Sequence, residues 1–413
     1  MVQLPPLSVV NHSTLDLTGI LVEDVDGDGH VLDLGASPVE VEIFTHASHH
    51  ASKRVPVMGY PRTNRVKVTL LLGPAPHPVS FVMDRHTSHQ DGAQTLLDDA
   101  GERHRVVRHT HGATTTFLIF DVVDTKTWMK NLPDDALLSQ LTLPGTHETC
   151  AREYGGNSTI CQKLTLREQL EAGIRFLDIR CRHIDNTFTI HHGRVYQHLN
   201  FGAGVRDVCV KFLAEHPSEC IVMSVKQEHD PEGNTRTFEE TFEWYAGGLE
   251  RYWYVGASVP RLVDVRRKMV LFRRFHAATT PMGLPAQPWP DDATFDINNP
   301  GADFRVQDQY KVPQLSDIKK KWEHVETLLA ESRKAVDARW YVNFTSGSSS
   351  GAYPNAVAYG SPGYEGINDR LKSYLVANPT GKAGSVLMDF VEYPNYDNIA
   401  NLIARNVFAP PAP

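Results

Sequence analysis

His147, Asp178, Arg180, His192 and Asp389 are the residues of this chain whose types suit concerted chemistry. His147 follows the apolar stretch Leu141-Thr-Leu-Pro144-Gly145-Thr146 and is followed by Glu148. Further on, Ile174-Arg-Phe-Leu-Asp178-Ile-Arg180 leads to Phe188-Thr-Ile-His191-His192-Gly193. A histidine titrates near neutral pH, with an unperturbed pKa of about 6.5, so one imidazole can take a proton while a second gives one. A guanidinium can bind two oxygens of one phosphate. The set suits acid–base attack on a phosphate ester.

These groups need elements that bring them together. From about residue 136 apolar runs alternate with helical stretches. Strands are predicted at Leu141–Leu143, Phe176–Ile179, Phe188–Ile190, Ile221–Val225, Met269–Phe272, Phe304–Val306, Trp340–Val342 and Ser385–Met388. Helices are predicted at Leu166–Ala172, Val205–His216, Phe238–Trp253, Ser316–Asp337 and Asn368–Val376. That alternation predicts an α/β fold of parallel βα units, an irregular TIM-type barrel. Just past the predicted strands stand His147, Arg180, His192, Lys226, Arg274, Asp308 and Asp389. Barrel enzymes place their active sites at the C-terminal strand ends. Ordinary solvated strand ends are the competing reading, and a ring of both signs with two histidines counts against it.

Residues up to about 125 read differently, as short β-branched runs punctuated by Gly, Pro, Asp and His. They predict a small all-β, sandwich-like domain, with strands at Thr14–Val22, Val39–Phe44, Arg65–Leu72, Val79–Met83, Arg105–Val107 and Thr114–Val122. The expected division of the 413 residues is therefore 1–125 as an accessory domain and 126–413 as the barrel.

The formal net charge of −8 gives no electrostatic reason to expect nucleic acid as a partner. No stretch is long and apolar enough to span a bilayer, and Met1-Val-Gln-Leu-Pro-Pro-Leu lacks the features of a signal peptide. The expectation is a soluble monomer, intracellular or already processed. The five cysteines, with Cys150 and Cys161 the pair to check first, are expected to be reduced, buried thiols. Asp24-Val-Asp26-Gly-Asp28-Gly29 imitates an EF-hand start but has Gly35 where a bidentate Glu is needed, so it reads as a polar turn. His46, His49 and His50, and His104, His109 and His111, read as exposed loop histidines rather than metal ligands. Met282, Leu284 and Trp289 in one long loop, with Tyr353, Tyr359 and Tyr364 in another, fit either an aromatic rim for a lipid interface or packing onto the barrel.

The region from about 136 to 405 resembles the catalytic X-type domain of bacterial phosphatidylinositol-specific phospholipases C. The resemblance rests on the order of Pro144-Gly-Thr-His147, Phe176-Leu-Asp-Ile-Arg180, His191-His192-Gly193, Val222-Met-Ser-Val-Lys226, Arg273-Arg274-Phe275, Trp289-Pro-Asp-Asp, Val306-Gln-Asp308-Gln-Tyr310-Lys311-Val312, Asn343-Phe-Thr-Ser346 and Met388-Asp389. It implies cleavage of phosphatidylinositol in a membrane surface to diacylglycerol and inositol 1,2-cyclic phosphate. His147 is then the base with Asp389 behind it, and His192 the acid with Asp178 or Glu148 behind it. Arg180 replaces calcium, so no metal or other cofactor is expected, and Lys226, Arg274, Asp308 and Tyr310 hold the inositol. The family usually has Asp where this chain has Glu148. A metal-dependent glycerophosphodiester phosphodiesterase and a non-catalytic lipid- or carbohydrate-binding barrel remain the alternatives.

Overall fold

The structure is a computed structural model describing residues 7–13, 15–25, 39–45, 53–58, 65–73, 77–84, 91–99, 103–111 and 114–406. The chain divides into two compact units, Met1–Val123 with Leu375–Thr380, and Asp124–Tyr374 with Gly381–Pro413.

The first unit is built on a ten-stranded mixed sheet. At its centre Leu7–His12 runs parallel to both Thr114–Asp121 and Val39–Thr45. Leu17–Asp24 pairs antiparallel with Arg65–Leu72, which pairs with His77–Asp84. Alternation builds the core: Val66, Val68, Leu70 and Leu72 are all buried on one face of their strand. These residues share one apolar cluster with Val9, Val106, Phe117 and Ile119 from the other half of the strand order. Phe81 and Phe117 meet with ring centroids 4.9 Å apart, so the sheet folds over its own core in a sandwich-like way. Leu7–His12, Lys53–Met58 and Leu96–Asp99 are strands that the sequence pattern did not reveal. His104 is buried, not exposed as expected, with Nδ1 2.9 Å from Asp99 Oδ1. The EF-hand-like run from Asp26 and the histidines at 46, 49 and 50 lie outside the described residues.

The second unit is an open, irregular barrel. Its parallel strands are Leu143–Thr146, Phe176–Ile184, Ile221–Gln227, Met269–Arg274, Phe304–Asp308, Trp340–Phe344 and Ser385–Met388. Each pairs with its sequence neighbour, and the last returns to pair with the first, except that Met269–Arg274 and Phe304–Asp308 do not pair. Trp253–Tyr254 and Leu284–Pro285 cover successive halves of the free edge of Met269–Arg274, and Ala293–Ile297 covers Phe304–Asp308 from the other side. Every exposed edge is thus blunted by a short partner.

The first strand differs from its predicted span: Pro144 and Gly145 lie inside it. Gly145 is required there, because a Cβ would stand 2.9 Å from the Phe176 carbonyl oxygen and 3.1 Å from Leu387 Cγ. Phe176–Ile184 continues well past its predicted end, so Arg180 lies within the strand and not beyond it. The cause is a hairpin. Asp185 and Asn186 both have positive φ, 46° and 59°, the two-residue turn that suits strand twist, and Thr187–His192 folds back antiparallel. The predicted strand Phe188–Ile190 is thus part of a β-arm and not a barrel stave. The helix predicted over Phe238–Trp253 stops at Ala246, before Gly247-Gly248. No helix among the described residues is long and apolar enough to cross a membrane. All five cysteines are buried and free.

Candidate active site

His147 and Asp389 come from adjacent strands. Leu143–Thr146 and Ser385–Met388 run in register, Thr146 beside Met388, so the next residues of each, His147 and Asp389, emerge together. His147 Nδ1 lies 2.8 Å from Asp389 Oδ1. Gln162, fully buried, clamps both strand ends by donating from Nε2 to the carbonyls of His147 and Met388, each at 2.8 Å. The imidazole packs edge-on against Phe344. Burial, with Arg180 adding, pushes the His147 imidazole well below the ordinary histidine value, the direction that favours the free base. Burial also pushes the Asp389 carboxyl up.

Three cations stand at one level. The register sets Arg180 opposite Lys226, and Lys226 opposite Arg274, across three neighbouring strands. Carboxylates hold them apart and in place. Asp178, two residues before Arg180 and therefore on the same strand face, accepts from Arg180 Nε at 3.0 Å and lies 3.4 Å from Arg274 Nη1. It also accepts the Glu148 backbone N–H at 3.1 Å. Burial alone would raise the Asp178 carboxyl, but Arg180, Arg274, His147 and that N–H together hold it well below the usual carboxylate range. Glu148 Oε1 lies 2.9 Å from Arg180 Nη1. Glu148 has φ 42°, a left-handed turn that lets its side chain lie back across the guanidinium. Its carboxyl is raised by burial, against the pull of Arg180.

His192 ends the antiparallel return strand. Its Nδ1 lies 2.8 Å from the Thr159 carbonyl oxygen, which fixes that nitrogen as the proton donor and leaves Nε2 for chemistry. Nε2 is 3.9 Å from Glu148 Oε1, whereas Asp178 is committed to the two arginines. Glu148 is therefore the acid nearest His192. His191 faces the other side of the strand, buried against Tyr196.

Arg274 lies over the Trp289 ring with Cζ 3.6 Å from its centroid, and Trp289 Nε1 donates to Asp308 Oδ2 at 2.9 Å. Trp289 also meets Phe272, Phe295 and Phe344, so it packs inward as a floor joining two predicted binding residues. Met282 and Leu284 are buried as well. In the other loop Tyr353 and Tyr364 are each 43% exposed, while Tyr359 is half-buried and donates to Glu392 Oε1 at 2.8 Å. Tyr310 stands further out, its hydroxyl donating to Asp291 at 2.8 Å.

Two residues missed by sequence reasoning complete the arrangement, and a third, Cys161, lies beside it without serving it. Glu228 binds Lys226 Nζ at 2.7 Å and accepts the Gly193 N–H at 3.1 Å, joining the cation row to the His192 turn. Its spacing of two from Lys226, the same-face period of a strand, was the available signal. Lys321 is buried on the helix Ile318–Lys334 and donates to Gln307 Oε1 at 3.0 Å and to the Phe344 carbonyl at 2.6 Å. Burial pushes its ammonium down to about 7. Cys161 lies with Sγ 3.9 Å from His192 Nδ1. The strand-end residues predicted from sequence thus converge, with Tyr310, Tyr353 and Tyr359 outside the contacts that link His147, Arg180 and His192.

Residues 151–275 match the family model for the phosphatidylinositol-specific phospholipase C, X domain. A 1-phosphatidylinositol phosphodiesterase of Staphylococcus aureus is 33% identical over 302 residues, covering 67% of this chain and 92% of that protein. The Listeria monocytogenes protein of the same name is 27% identical over 300 residues, 69% of this chain and 86% of its own. Among solved structures, a variant of the Staphylococcus aureus phosphatidylinositol-specific phospholipase C superposes with a TM-score of 0.62 at 31% identity, covering 70% of this chain and 98% of that one. The Listeria monocytogenes enzyme superposes with a TM-score of 0.55 at 25% identity, covering 69% of this chain and all of its own. The chain belongs to the family of bacterial phosphatidylinositol-specific phospholipases C.

Proposed function

We propose that this protein cleaves phosphatidylinositol to diacylglycerol and inositol 1,2-cyclic phosphate. The observation that supports this most is the juxtaposition of a His147–Asp389 pair and a His192 with free Nε2 on a guanidinium braced by two carboxylates. His147 takes the proton of the inositol 2-hydroxyl as that oxygen attacks phosphorus. Asp389 holds the imidazole and stabilises its cation. His192 gives a proton from Nε2 to the departing glycerol oxygen, and Glu148 orients it. Each transfer is worth about 10²–10⁴ in rate. Arg180, with N–H groups beyond its three carboxylate contacts, meets the non-bridging oxygens as charge grows there.

Lys226, Arg274 and Asp308 supply two donors and an acceptor for vicinal ring hydroxyls, and Trp289 sets the height of Arg274. Tyr310 borders the ring on the outer side. A glycerophosphodiester phosphodiesterase would need its carboxylates for a metal, and here Asp178 and Glu148 are engaged by Arg180. Catalysis therefore proceeds with the guanidinium in the place of a metal ion.

The lipid is met at a membrane surface, peripherally and transiently. One of the solved Staphylococcus aureus structures is described as addressing membrane binding of that enzyme. Exposed Tyr353, with Tyr364, is our candidate for the interfacial contact, while Trp289 serves the ring site. Phosphatidylinositol vesicles incubated with the protein, followed by phosphorus NMR, test the reading: a cyclic phosphate must form first.

A further inference from the structure

Cys161 takes no part in the proposed reaction, yet it lies among the groups that do. Its Sγ, a nitrogen of His147 and a carboxylate oxygen of Asp389 all lie within 4.8 Å of one another. The same sulfur is 3.9 Å from His192 Nδ1. The thiol is buried, which pushes it well above the ordinary cysteine range, and Asp389 and Glu148 push the same way. A dication bound here would supply the positive charge that a buried thiolate needs. Thiolate, imidazole and carboxylate are the donors that zinc-class ions take at about 2.0–2.3 Å, which sets tetrahedral donors roughly 3.5 Å apart. The widest of the three separations, at most 4.8 Å, has to close by up to about 1.3 Å, within reach of side-chain rotation. The His147 side chain is 14% exposed, giving an ion a way in from the mouth.

We propose that His147, Cys161 and Asp389 form an inhibitory site for a thiophilic divalent ion of the zinc class. The inference rests on the assignment of His147 as the general base. On binding, the S–H bond breaks and its proton goes to solvent. Bonds form from the metal to sulfur, to an imidazole nitrogen and to a carboxylate oxygen, and no electron is transferred. The ion occupies a lone pair of His147 and draws Asp389 off the ring, so the base is disabled. Magnesium and calcium, which seek oxygen ligands, leave activity unchanged.

The test uses the full chain without an affinity tag. Cadmium titration is followed by the ultraviolet thiolate-to-metal charge-transfer band, and zinc titration by cyclic phosphate formation from phosphatidylinositol vesicles. One equivalent of cadmium should saturate the band, and zinc should inhibit reversibly, with chelator restoring activity. Cys161→Ser and Cys161→Ala should keep metal-free activity, lose the band and require at least tenfold more zinc for half-inhibition. A missing band in the unaltered chain, or zinc sensitivity unchanged in both variants, overturns the proposal. If the metal-free chain leaves phosphatidylinositol uncut, the proposed function fails, while the cadmium band still reads the metal site on its own.

Discussion

Glu148 is the residue on which the account of catalysis is most exposed to experiment. Its carboxylate braces Arg180 Nη1 at 2.9 Å and is the acid nearest His192 Nε2, at 3.9 Å. Glu148→Gln keeps the shape and removes the charge. The low end of the coupling between close charge pairs, about 1.5–3 kcal/mol, corresponds to roughly ten- to a hundredfold in rate. Arg180 keeps Asp178 as its second brace, so the loss should stay within that range and not abolish the reaction. Glu148→Asp retains the charge but withdraws it by one methylene, roughly 1.5 Å. The left-handed φ of 42° at this position is one that aspartate adopts more readily than glutamate, so the backbone tolerates the change. Its kcat/KM should fall less than tenfold. The assay is the initial rate of cyclic phosphate formation from a short-chain soluble phosphatidylinositol, with thermal denaturation as a check on folding. Equal kcat/KM in all three forms would remove Glu148 from the mechanism and refute the argument from the guanidinium brace.

Burial and Arg180 both lower His147, so the acid limb of kcat/KM should lie below pH 6.5; in Arg180→Ala the residual activity should show that limb at higher pH, because a cation that disfavours protonation is gone. Trp289→Ala should raise KM for a soluble substrate at least tenfold, since Arg274 and Asp308 both lose their floor, and vesicle affinity should change little; the reverse outcome would make Trp289 an interfacial residue. Lys321 has its ammonium pushed down to about 7 from 10.5, so between these pH values the unfolded chain holds a proton that the folded chain lacks, and stability gains with rising pH. Lys321→Met should remove that gain, read as a flatter pH dependence of the urea midpoint between pH 7 and 10; an unchanged slope would show that the lysine is charged when folded.

The parts of the site that sequence made legible are those carried by short-range pattern. A histidine after Leu-Pro-Gly-Thr and an aspartate after Val-Leu-Met each end an apolar run, and the barrel rule then places both at the same rim. What pattern could not supply is pairing: His147 and Asp389 are 242 positions apart, and only the register of Thr146 with Met388 joins them. The β-arm reads as a stave in sequence because nothing local marks Asp185-Asn186 as a turn with two left-handed residues, and it is that turn that brings His192 back beside the strand of Arg180. Lys321 hid in Lys319-Lys320-Lys321, which reads as a solvated run. Its position between Ile318, Trp322 and Val325 sets it alone of the three on the apolar stripe. Cys161 carries no local signal, since its neighbours His147, Asp389 and His192 reach it only through the tertiary fold.

The most direct test of the central claim is the time course of phosphorus species from phosphatidylinositol vesicles in the presence of excess chelator. The account predicts inositol 1,2-cyclic phosphate as first product, undiminished by the chelator. The rate should fall by about 10²–10⁴ in His147→Ala and in His192→Ala when each is compared with the unaltered chain. A linear inositol phosphate appearing without a cyclic precursor, loss of activity on chelation, or full activity in either histidine variant would contradict it.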